Sequence, residues 1–413
     1  MRRVVITGMG AVSPVGNNVN EMWSGIKEGK CGIAPITHYD TEGRKVKVAG
    51  EVKNLNLEEI FDKKELRKMD RFCAFAVMAA DEAIKDADIS FEEEELSKCS
   101  GVLISSGIGG LGTIETEHKK GLEKGFDRVS PYFIPSAISN MAAGRRAIKH
   151  GIHGMCSCVV TACAGGSNAI GDAFRHIRDG YGKVMVCGGA ESCITEFGIG
   201  GFTALKALSQ SEDPMRASIP FDKERNGFVM GEGAGVLVLE ELEHALERGA
   251  KIYGEIVGYG TNCDAYHITA PSSDGSGAAE CMKQAMADAK IQPEDITYIN
   301  AHGTSTSMND KCETMAVKKA FGEYADKVMI SSTKSMTGHL LGASGAIEAI
   351  ICVMAVKEDF VPATVNYREP DEECDLDIVA NQGRNVRLEY VMSNSLGFGG
   401  HNASLIFKKY ESE

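Results

Sequence analysis

Short apolar runs rich in β-branched residues alternate with longer helical patterns along almost the whole chain. The strand-like runs are VVIT (4–7), VLIS (102–105), VMVCGG (184–189), ITYIN (296–300) and VMIS (328–331). The helical patterns cover residues 73–87, 165–180, 277–289 and 342–358. Short buried strands separated by helices are typical of α/β proteins. The alternation therefore predicts an α/β fold in which helices cover both faces of the sheets.

The length of the chain and a weak internal repeat both favour two halves. Its 413 residues exceed what one simple core usually holds. The small-residue segment at Cys163 is followed 64 residues later by the glycine-rich turn and β run GFVMGEGAGVLVLE (227–240). The segment GHLLGASGAIEAI (338–350) is followed, 59 residues after its first glycine, by GFGGHNASLIF (397–407). We expect one half at residues 1–250 and a second at 251–413.

Charge and hydropathy exclude several classes of protein. The chain carries 44 basic and 58 acidic residues, a net charge of −14, which argues against nucleic-acid binding over a large surface. No apolar stretch approaches the roughly 20 residues of a membrane-spanning helix. The apolar part of the start, MRRVVITGMGAV, is too short for a signal peptide. We expect a cytoplasmic protein that contacts neither nucleic acid nor membrane.

The thirteen cysteines raise the question of disulfides or bound metal. Their number is odd, and the start of the chain has no secretory pattern. Cys156, Cys158 and Cys163 cluster, but the sequence contains no C-x-x-C pair and no nearby series of histidines. Reduced thiols and no metal site are therefore predicted.

Residues 159–170, VVTACAGGSNAI, place Cys163 among very small side chains. If a helix begins at residue 165, its N-terminus favours the thiolate, and the small neighbours leave room for a substrate carbonyl. A backbone N–H there is also placed to donate to a developing oxyanion. The alternative is that Cys163 is a small buried filler. This segment alone leaves both interpretations open.

Two histidine segments favour the catalytic interpretation. His302 follows the strand-like run ITYIN in AHGTSTSMND (301–310), and His339 lies in KSMTGHLLGASG (334–345), before a helical pattern. A single histidine in a turn is more often structural, but α/β folds gather their sites at the carboxyl ends of strands. A cysteine with two histidines is appropriate for acyl transfer combined with stabilisation of an enolate.

Five ordered segments resemble the β-ketoacyl-ACP synthases. They are TACAGG (161–166), PFDKERNGFVMGEGAG (220–235), NAHGTSTSMND (300–310), KSMTGHLLGASGAIEA (334–349) and SNSLGFGGHNA (393–403). The resemblance runs from VVITGMGAVSPVG to the last β run and so covers essentially the whole chain. It implies a thiolase-like α/β fold, in which two pseudo-repeated halves with stacked mixed five-stranded sheets form αβαβα layers. It also implies a homodimer.

The same resemblance implies roles for single residues. The family's nucleophile matches Cys163, its two histidines match His302 and His339, and its gating phenylalanine matches Phe398. The backbone N–H of Phe398 would join that of Cys163 as the oxyanion hole. The family's lysine matches Lys334, with a charged support network of Asp310, Glu313 and Glu348. The threonines that hold the phosphopantetheine arm match Thr304 and Thr306. The acyl-pocket positions match Ile108, Phe133 and Phe202. For Lys334 a purely structural role is an equally open alternative.

The implied reaction is a decarboxylative Claisen condensation. An acyl carrier protein (ACP) delivers an acyl group to Cys163, and malonyl-ACP then loses CO2 and attacks the acyl-enzyme to give 3-oxoacyl-ACP. No organic cofactor is required. One alternative is a polyketide-type ketosynthase with a specialised carrier. A second alternative, a non-catalytic partner subunit of the chain-length-factor kind, would lose the nucleophile, so the intact Cys163, His302 and His339 argue against it.

Some residues depart from the family's pattern. GIHGMCSCVV (151–160) lacks the Gly-Pro-Asn usual before the nucleophile's strand, SMND follows HGTST, and Leu396 stands where phenylalanine is frequent. None of these changes removes a catalytic side chain. They leave open the preferred acyl-chain length and a specialised pathway.

A basic segment, KKELRKMDR (63–71), is the candidate surface for the acidic carrier. If it forms one helix, Lys64, Arg67, Lys68 and Arg71 share a face by their i, i+3, i+4 and i+7 spacing. Lys206, near the predicted pocket residue Phe202, extends this patch. The alternative is an ordinary solvated helix face. With the family resemblance, the sequence favours carrier docking.

Overall fold

The computed structural model describes residues 1–411. This part of the chain contains fifteen β-strands. They are β1 (Val4–Val12), β2 (Ala34–Pro35), β3 (Val48–Ala49), β4 (Ser100–Ser105), β5 (Cys156–Ser157), β6 (Val184–Glu191), β7 (Gly233–Glu241), β8 (Gly254–Cys263), β9 (Ile296–Asn300), β10 (Met329–Ser331), β11 (Phe360–Val361), β12 (Asp377–Ile378), β13 (Arg384–Asn385), β14 (Tyr390–Gly397) and β15 (His401–Lys408).

The same residues form sixteen α-helices. They are α1 (Val19–Lys27), α2 (Leu57–Ile60), α3 (Lys63–Leu66), α4 (Arg71–Asp86), α5 (Glu94–Lys98), α6 (Leu111–Lys124), α7 (Phe133–Ala137), α8 (Met141–His150), α9 (Gly165–Arg178), α10 (Glu196–Ala204), α11 (Pro214–Ala217), α12 (Leu242–Glu247), α13 (Ser276–Ala289), α14 (Ser307–Phe321), α15 (Lys334–Thr337) and α16 (Ser344–Glu358). None of the helices in residues 1–411 is long and apolar enough to cross a membrane.

The apolar runs identified in the sequence are strands β1, β4, β6, β9 and β10, and the helical patterns are α4, α9, α13 and α16. The bounds differ by a few residues at most of the ends. The largest difference is at β1, which continues to Val12 although glycines interrupt its apolar run. The prediction of an α/β fold is confirmed.

The main sheet contains two groups of strands in the same spatial order. The first group runs β1-β7-β6-β4-β5 and the second β8-β15-β14-β9-β10, with β12 added at the edge. In each group the first two pairings are antiparallel and the last two are parallel. The weak repeat in the sequence therefore corresponds to a repeated strand topology.

The two groups are joined by hydrogen bonds into one eleven-stranded sheet. Strand β1 pairs with β7 along most of its length, and its first residues also pair with β8, where Val4 lies opposite Ile256 and Ile6 opposite Gly254. The first strand of the chain is therefore the connection between the two groups.

Helices lie between and outside the two groups of strands. Helices α9 and α16 pack in the central core, between apolar side chains of β6 and β7 on one side and of β14 and β15 on the other. Helix α4 covers the outer face of the first group, and α13 and α14 cover that of the second. This is the αβαβα layering of the thiolase-like fold, and it carries the starts of α9 and α16 to the middle of the molecule.

The basic segment 63–71 does not form one helix. Asp62 caps α3, which ends at Leu66, and Asp70 caps a new helix, α4, by accepting the N–H of Phe72 at 3.1 Å. Arg71 turns inward and pairs with the buried Glu232 at 2.9 Å. The single helical face expected from the spacing is therefore wrong, because two aspartate caps divide the segment.

Candidate active site

Cys163 lies in a tight turn at the start of helix α9. The 3₁₀ turn Ala162–Ala164 leads directly into Gly165, the first residue of the helix. Ala162 adopts a φ of +49°, a strained conformation for a residue with a side chain. The turn leaves the Cys163 side chain 8% exposed, on the wall of a cavity. The predicted position at a helix start is therefore observed.

A matching turn precedes helix α16 in the other half. The 3₁₀ turn Leu341–Ala343 begins at Leu341 with a φ of +47° and leads into Ser344. The two helix starts pack very closely, because a Cβ on Gly166 would lie only 2.9 Å from the carbonyl oxygen of Gly342. The repeated topology thus brings the nucleophile's turn against the turn that follows His339.

The glycine-rich turn after β14 packs onto the Cys163 turn. A Cβ on Gly397 would lie 2.7 Å from the Thr161 carbonyl oxygen and 3.3 Å from the Cys163 nitrogen, so only glycine allows this approach. As a result the backbone N–H of Phe398 reaches the Cys163 sulfur, as does the N–H of Cys163 itself. These are the two groups expected to form an oxyanion hole.

His302 and His339 face the same cavity as Cys163. His302 follows β9 and His339 follows α15, and each side chain is at most 3% exposed. Their ring centroids lie 5.3 Å apart with the planes at 85°. The structure therefore brings together the three residues that the sequence singled out.

Both imidazoles are neutral in the resting protein. Burial lowers the pKa of His302 and of His339 well below the usual value, and the charge of Lys334 acts in the same direction. Nδ1 of His339 lies 2.8 Å from the Ser344 hydroxyl oxygen. When that hydroxyl donates to Nδ1, the neutral ring carries its proton on Nε2 and can donate it to a substrate oxygen.

The Cys163 thiol is protonated in the resting protein. Burial raises its pKa to about 12, although the positive charge of Lys334 and the backbone N–H of Phe398 act to lower it. The sequence indicated that the start of α9 would favour the thiolate. Desolvation is the larger effect in the folded chain.

Lys334 is completely enclosed, with its side chain 1% exposed. Its Nζ lies 2.5 Å from Oε1 of Glu348, whose pKa is raised to about 7 by burial. Glu313 accepts the N–H groups of His302 and Gly303, each at 2.8 Å, and so fixes the turn after β9. Glu348 therefore contacts Lys334, and Glu313 contacts the backbone of the His302 turn.

Asp310 belongs to a neighbouring set of contacts. It accepts the Phe221 N–H at 2.9 Å, and Nε of Arg225 lies 3.5 Å from it. Asp310 therefore supports the start of α14 through Arg225, and its charged partner is not Lys334.

The cavity over Cys163 has a volume of about 410 Å³. Its lining includes Phe202, Thr304 and Thr306, and the two threonine hydroxyl oxygens lie 3.0 Å apart. Lys206 is exposed and also lines this cavity. Phe202, Thr304 and Thr306 therefore line the same cavity as Cys163, and Lys206 lies at this cavity and not with the basic segment 63–71.

The other two predicted acyl-pocket residues lie elsewhere in the single chain. Phe133 lines surface cavities with Glu117 and Lys119, away from the cavity of Cys163. Ile108 is exposed and lies outside the lining of the Cys163 cavity. The single chain therefore does not bring Ile108 and Phe133 into that cavity.

The proposed docking residues are only partly brought together. Lys64, Arg67 and Lys68 are all exposed around the end of α3. Arg67 lines a separate cavity of about 510 Å³, whereas Lys206 lines the cavity of Cys163. Within one chain they do not form one continuous basic patch around a shared cavity.

Two residues of the site were missed in the sequence. Phe228 packs edge to face against His339, with ring centroids 5.2 Å apart, and also against Phe202 at 5.5 Å. Ser344 is the hydrogen-bond partner of His339. Phe228 lies in the quoted segment 220–235, but nothing in its local pattern indicates contact with a histidine more than 100 residues away.

Family models match both parts of the chain. The model described as "Beta-ketoacyl synthase, N-terminal domain" matches residues 1–245, and "Beta-ketoacyl synthase, C-terminal domain" matches residues 253–368. Together with the layered fold and the Cys-His-His cavity, these matches define a condensing enzyme. The chain belongs to the β-ketoacyl synthase family.

Similar proteins agree with this assignment along the full length. The chain is 54% identical over 411 residues to a 3-oxoacyl-[acyl-carrier-protein] synthase 2 of Synechocystis, covering 99% of both chains. It is 53% identical over 411 residues to a protein of the same name from Staphylococcus aureus, covering 100% of this chain and 99% of the relative.

Solved structures share the fold at lower identity. A type II polyketide ketosynthase in complex with its acyl carrier protein matches with a TM-score of 0.91 and 36% identity, over 99% of this chain and 100% of that chain. A β-ketoacyl synthase from Burkholderia phymatum matches with the same TM-score and identity, over 100% of both chains.

Proposed function

We propose that this protein is a 3-oxoacyl-[acyl-carrier-protein] synthase that elongates fatty acids by two carbons. The observation that carries the proposal is the convergence of Cys163, His302 and His339 on one cavity. Full-length identity of 52–54% to proteins of that name supports the substrate class.

The first half-reaction transfers an acyl group to Cys163. The sulfur attacks the thioester carbonyl of acyl-ACP, and the N–H groups of Cys163 and Phe398 stabilise the oxyanion. The carbon–sulfur bond to the carrier then breaks, and the carrier's thiol leaves with the proton that Cys163 gives up. Because the resting thiol is protonated, that proton has to move as the sulfur attacks.

The second half-reaction uses the two histidines. Malonyl-ACP enters, and its thioester oxygen accepts hydrogen bonds from the neutral rings of His302 and His339. The bond to the carboxylate breaks, CO2 leaves, and the electron pair forms an enolate that the rings stabilise. The enolate carbon attacks the acyl-enzyme, which expels the Cys163 sulfur and forms 3-oxoacyl-ACP. One proton returns the sulfur to its thiol form.

The remaining site residues have supporting roles in this proposal. Thr304 and Thr306 hold the phosphopantetheine arm, and Phe202 lines the acyl channel. Lys334 and its partner Glu348 set the electrostatic field around the histidines. Phe398 opens and closes the cavity through the adjacent glycines.

We propose a homodimer in which the edge strand β5 meets its copy. That strand is the last of the main sheet, and Met155 and Val160 on either side of it are exposed. Exposed apolar side chains of α6, α7 and α10 lie on the same half of the chain, among them Ile134 and Phe197. A second copy that covers this surface would also cover Phe133, the first residue of α7.

The partner and the organisation of the chain are proposed on similar grounds. The acyl carrier protein is supported by the ketosynthase–carrier complex of the structural relative. A division of the chain near residue 250 is supported by the family models, which match on either side of residues 246–252. A cytoplasmic location remains a prediction from the sequence.

A polyketide-type ketosynthase is the second candidate, since a structural relative at 36% identity is a type II polyketide ketosynthase bound to a hexaketide. One assay separates the two. The purified protein is supplied with malonyl-ACP and with acyl-ACPs of graded chain length, and CO2 and 3-oxoacyl-ACP are measured. We expect one CO2 per product and saturated acyl chains as substrates, and none with Cys163→Ala. Absence of condensation with every fatty acyl-ACP would contradict the proposal.

A further inference from the structure

The carboxylate of Glu191 is completely buried at the end of β6 and has no role in the reaction described above. Its Oε2 accepts two backbone N–H groups, from Gly107 at 2.7 Å and from Gly342 at 3.0 Å. Gly107 belongs to the segment after β4, and Gly342 to the turn before α16. One oxygen atom therefore joins segments from the two halves of the molecule.

The second oxygen holds the segment after β4 at two further points. Oε1 accepts the Ser106 hydroxyl at 2.9 Å and the Ile108 N–H at 3.2 Å, and the Cys193 thiol donates to it at 3.5 Å. Every one of these partners is a donor. Burial raises the pKa of the Glu191 carboxyl, whereas the hydrogen bonds from Gly107, Ser106, Gly342 and Ile108 act to lower it. The ionised carboxylate, which accepts at both oxygens, is the form that satisfies all of the donors.

The segments joined by Glu191 both border the reacting groups. A Cβ on Gly107 would lie 2.8 Å from Oε2 of Glu191 and 3.7 Å from the carbonyl oxygen of Ala162, which is adjacent to Cys163. The turn at Gly342 begins two residues after His339. A change in the position of the carboxylate would therefore move the segment of Ile108 relative to the nucleophile.

We propose that Glu191 is a positioning residue that holds the Ile108 segment against the turn before α16 and so sets the acyl-chain end of the site. This inference rests on the proposed function, because that function attaches the acyl chain to Cys163, and the segment held by Glu191 lies beside Ala162, which precedes Cys163. His339 is held independently, through its N–H to Val229 at 2.7 Å and through Ser344. The malonyl half-reaction is therefore expected to depend little on Glu191.

The charge of Glu191 also lies close to the turn of Cys163, because a Cβ on Gly107 would lie 2.8 Å from Oε2 of Glu191 and 3.7 Å from the Ala162 carbonyl oxygen. The negative charge acts to raise the pKa of the Cys163 thiol, whereas the positive charge of Lys334 acts to lower it. The rings of His302 and His339, which face the same cavity, are neutral. Removal of the negative charge is thus expected to increase the thiolate fraction at a given pH.

The main test is Glu191→Gln, which keeps the shape but replaces one acceptor oxygen by an NH2 group. We expect kcat/KM for long-chain acyl-ACP to fall by about tenfold or more, while transfer of an acetyl group changes by less than about threefold. Malonyl-ACP decarboxylation in a Cys163→Gln background should also stay within about threefold. Alkylation of Cys163 by iodoacetamide, followed by peptide mapping, should become faster at pH values below the pKa of the Cys163 thiol.

Two further variants separate position from charge. Gly107→Ala keeps the carboxylate but pushes the segment away from Oε2, so it should reproduce the chain-length effect without the change in alkylation. Glu240→Gln is the matched control, because Glu240 is an equally buried carboxylate whose partners, Thr7, His244 and Arg248, are not among those of Glu191. It should change neither measurement.

The outcomes are distinguishable. If Glu191→Gln lowers kcat/KM equally for acyl groups of every length and lowers decarboxylation by the same factor, Glu191 is only structural and the inference is wrong. The same conclusion follows if Glu191→Gln matches Glu240→Gln in every measurement. If Glu191→Gln does not fold, Gly107→Ala decides, because an unchanged chain-length profile in that variant overturns the inference. Failure of the wild-type protein to condense acyl-ACP with malonyl-ACP would contradict the proposed function instead, whereas the alkylation measurement would still report the charge effect.

Discussion

The rings of His302 and His339 meet edge to face, with centroids 5.3 Å apart, but their Nδ1 atoms differ in hydrogen bonding. Nδ1 of His339 lies 2.8 Å from the Ser344 hydroxyl, whereas Nδ1 of His302 is buried without a hydrogen-bond partner in residues 1–411. The fold can therefore set the tautomer of His339 through a side chain, but it sets the position of His302 through the backbone contacts with Glu313.

Alanine at either histidine should impair the malonyl half-reaction more than the acyl transfer. We expect His302→Ala and His339→Ala each to lower malonyl-ACP decarboxylation by about 10²-fold or more, the usual effect of losing an oxyanion donor. Acylation of Cys163 from acyl-ACP should persist, which mass spectrometry of the intact protein measures. Normal CO2 release in either variant would show that the histidine in question is structural.

Ser344 offers a finer test of the same pair. Ser344→Ala removes the partner of Nδ1, so the ¹⁵N NMR signals of His339 should shift towards a mixture of tautomers, while Ser344→Thr restores a hydroxyl. Decarboxylation should fall by about tenfold in the alanine variant and recover in the threonine variant. An unchanged His339 spectrum in Ser344→Ala would contradict the assignment.

Cys163 should be the acylated residue although it is not the most accessible thiol. Cys163→Ala should abolish condensation, and Cys163→Gln should retain decarboxylation, because a neutral amide there resembles the acyl-enzyme. Small alkylating reagents will also modify the exposed Cys156 and Cys263, so peptide mapping has to separate the sites. Acyl label recovered mainly from another cysteine would refute the role of Cys163.

The buried neutral histidines predict an unusual pH dependence. Because burial lowers the pKa of both rings well below 6.5, they should remain neutral as the pH falls through that value. Decarboxylation in the Cys163→Gln variant should therefore be nearly flat between about pH 6 and pH 8 and should fall only at lower pH. A decline centred near 6.5 that disappears in His302→Gln would show that a histidine titrates normally.

Lys334 and Glu348 allow structural and catalytic roles to be separated. Lys334→Met leaves the Glu348 carboxylate buried without its partner and should lower the free energy of unfolding by about 3–5 kcal/mol. The double variant Lys334→Met/Glu348→Leu should recover much of that stability in urea unfolding. If decarboxylation also recovers, Lys334 is structural, and if it stays low, the positive charge is needed for the reaction.

Charge reversal at Arg67 and Lys68 tests carrier docking. It should raise KM for acyl-ACP and weaken its salt dependence, because attraction between exposed charges is screened within about 8 Å at physiological ionic strength. Turnover of a small pantetheine thioester should barely change. Lys98→Glu, at an exposed lysine on another helix, is the control. Equal loss with both substrates would mean that these residues support the fold.

Local sequence signals were enough to locate the three reacting residues. Cys163, His302 and His339 all lie in segments rich in small residues, at a boundary between elements. Such boundaries are visible in the sequence because the change from β-branched to small residues is local. The repeated strand order of the two groups left only a weak trace in the sequence, because no local pattern specifies which strands pair with each other.

Other features depend on contacts that no local pattern reveals. The segment 63–71 has helical spacing throughout, but capping by Asp62 and Asp70 divides it. Glu191 ends an apolar strand, and its importance appears only when the segment after β4 and the turn before α16 meet at its oxygens. Phe228 contacts His339 through packing between halves. These relationships are properties of the tertiary structure.

The double pairing of β1 has a consequence for the order in which the protein is assembled during synthesis. Residues 4–12 leave the ribosome long before their partners at residues 234–241 and 254–256 are made. Until then an apolar strand is present with both edges unpaired, a state that favours association with other chains. The first group of strands is therefore complete only after the start of the second half has been synthesised. Until that point, β1 is the segment that chaperones most need to protect.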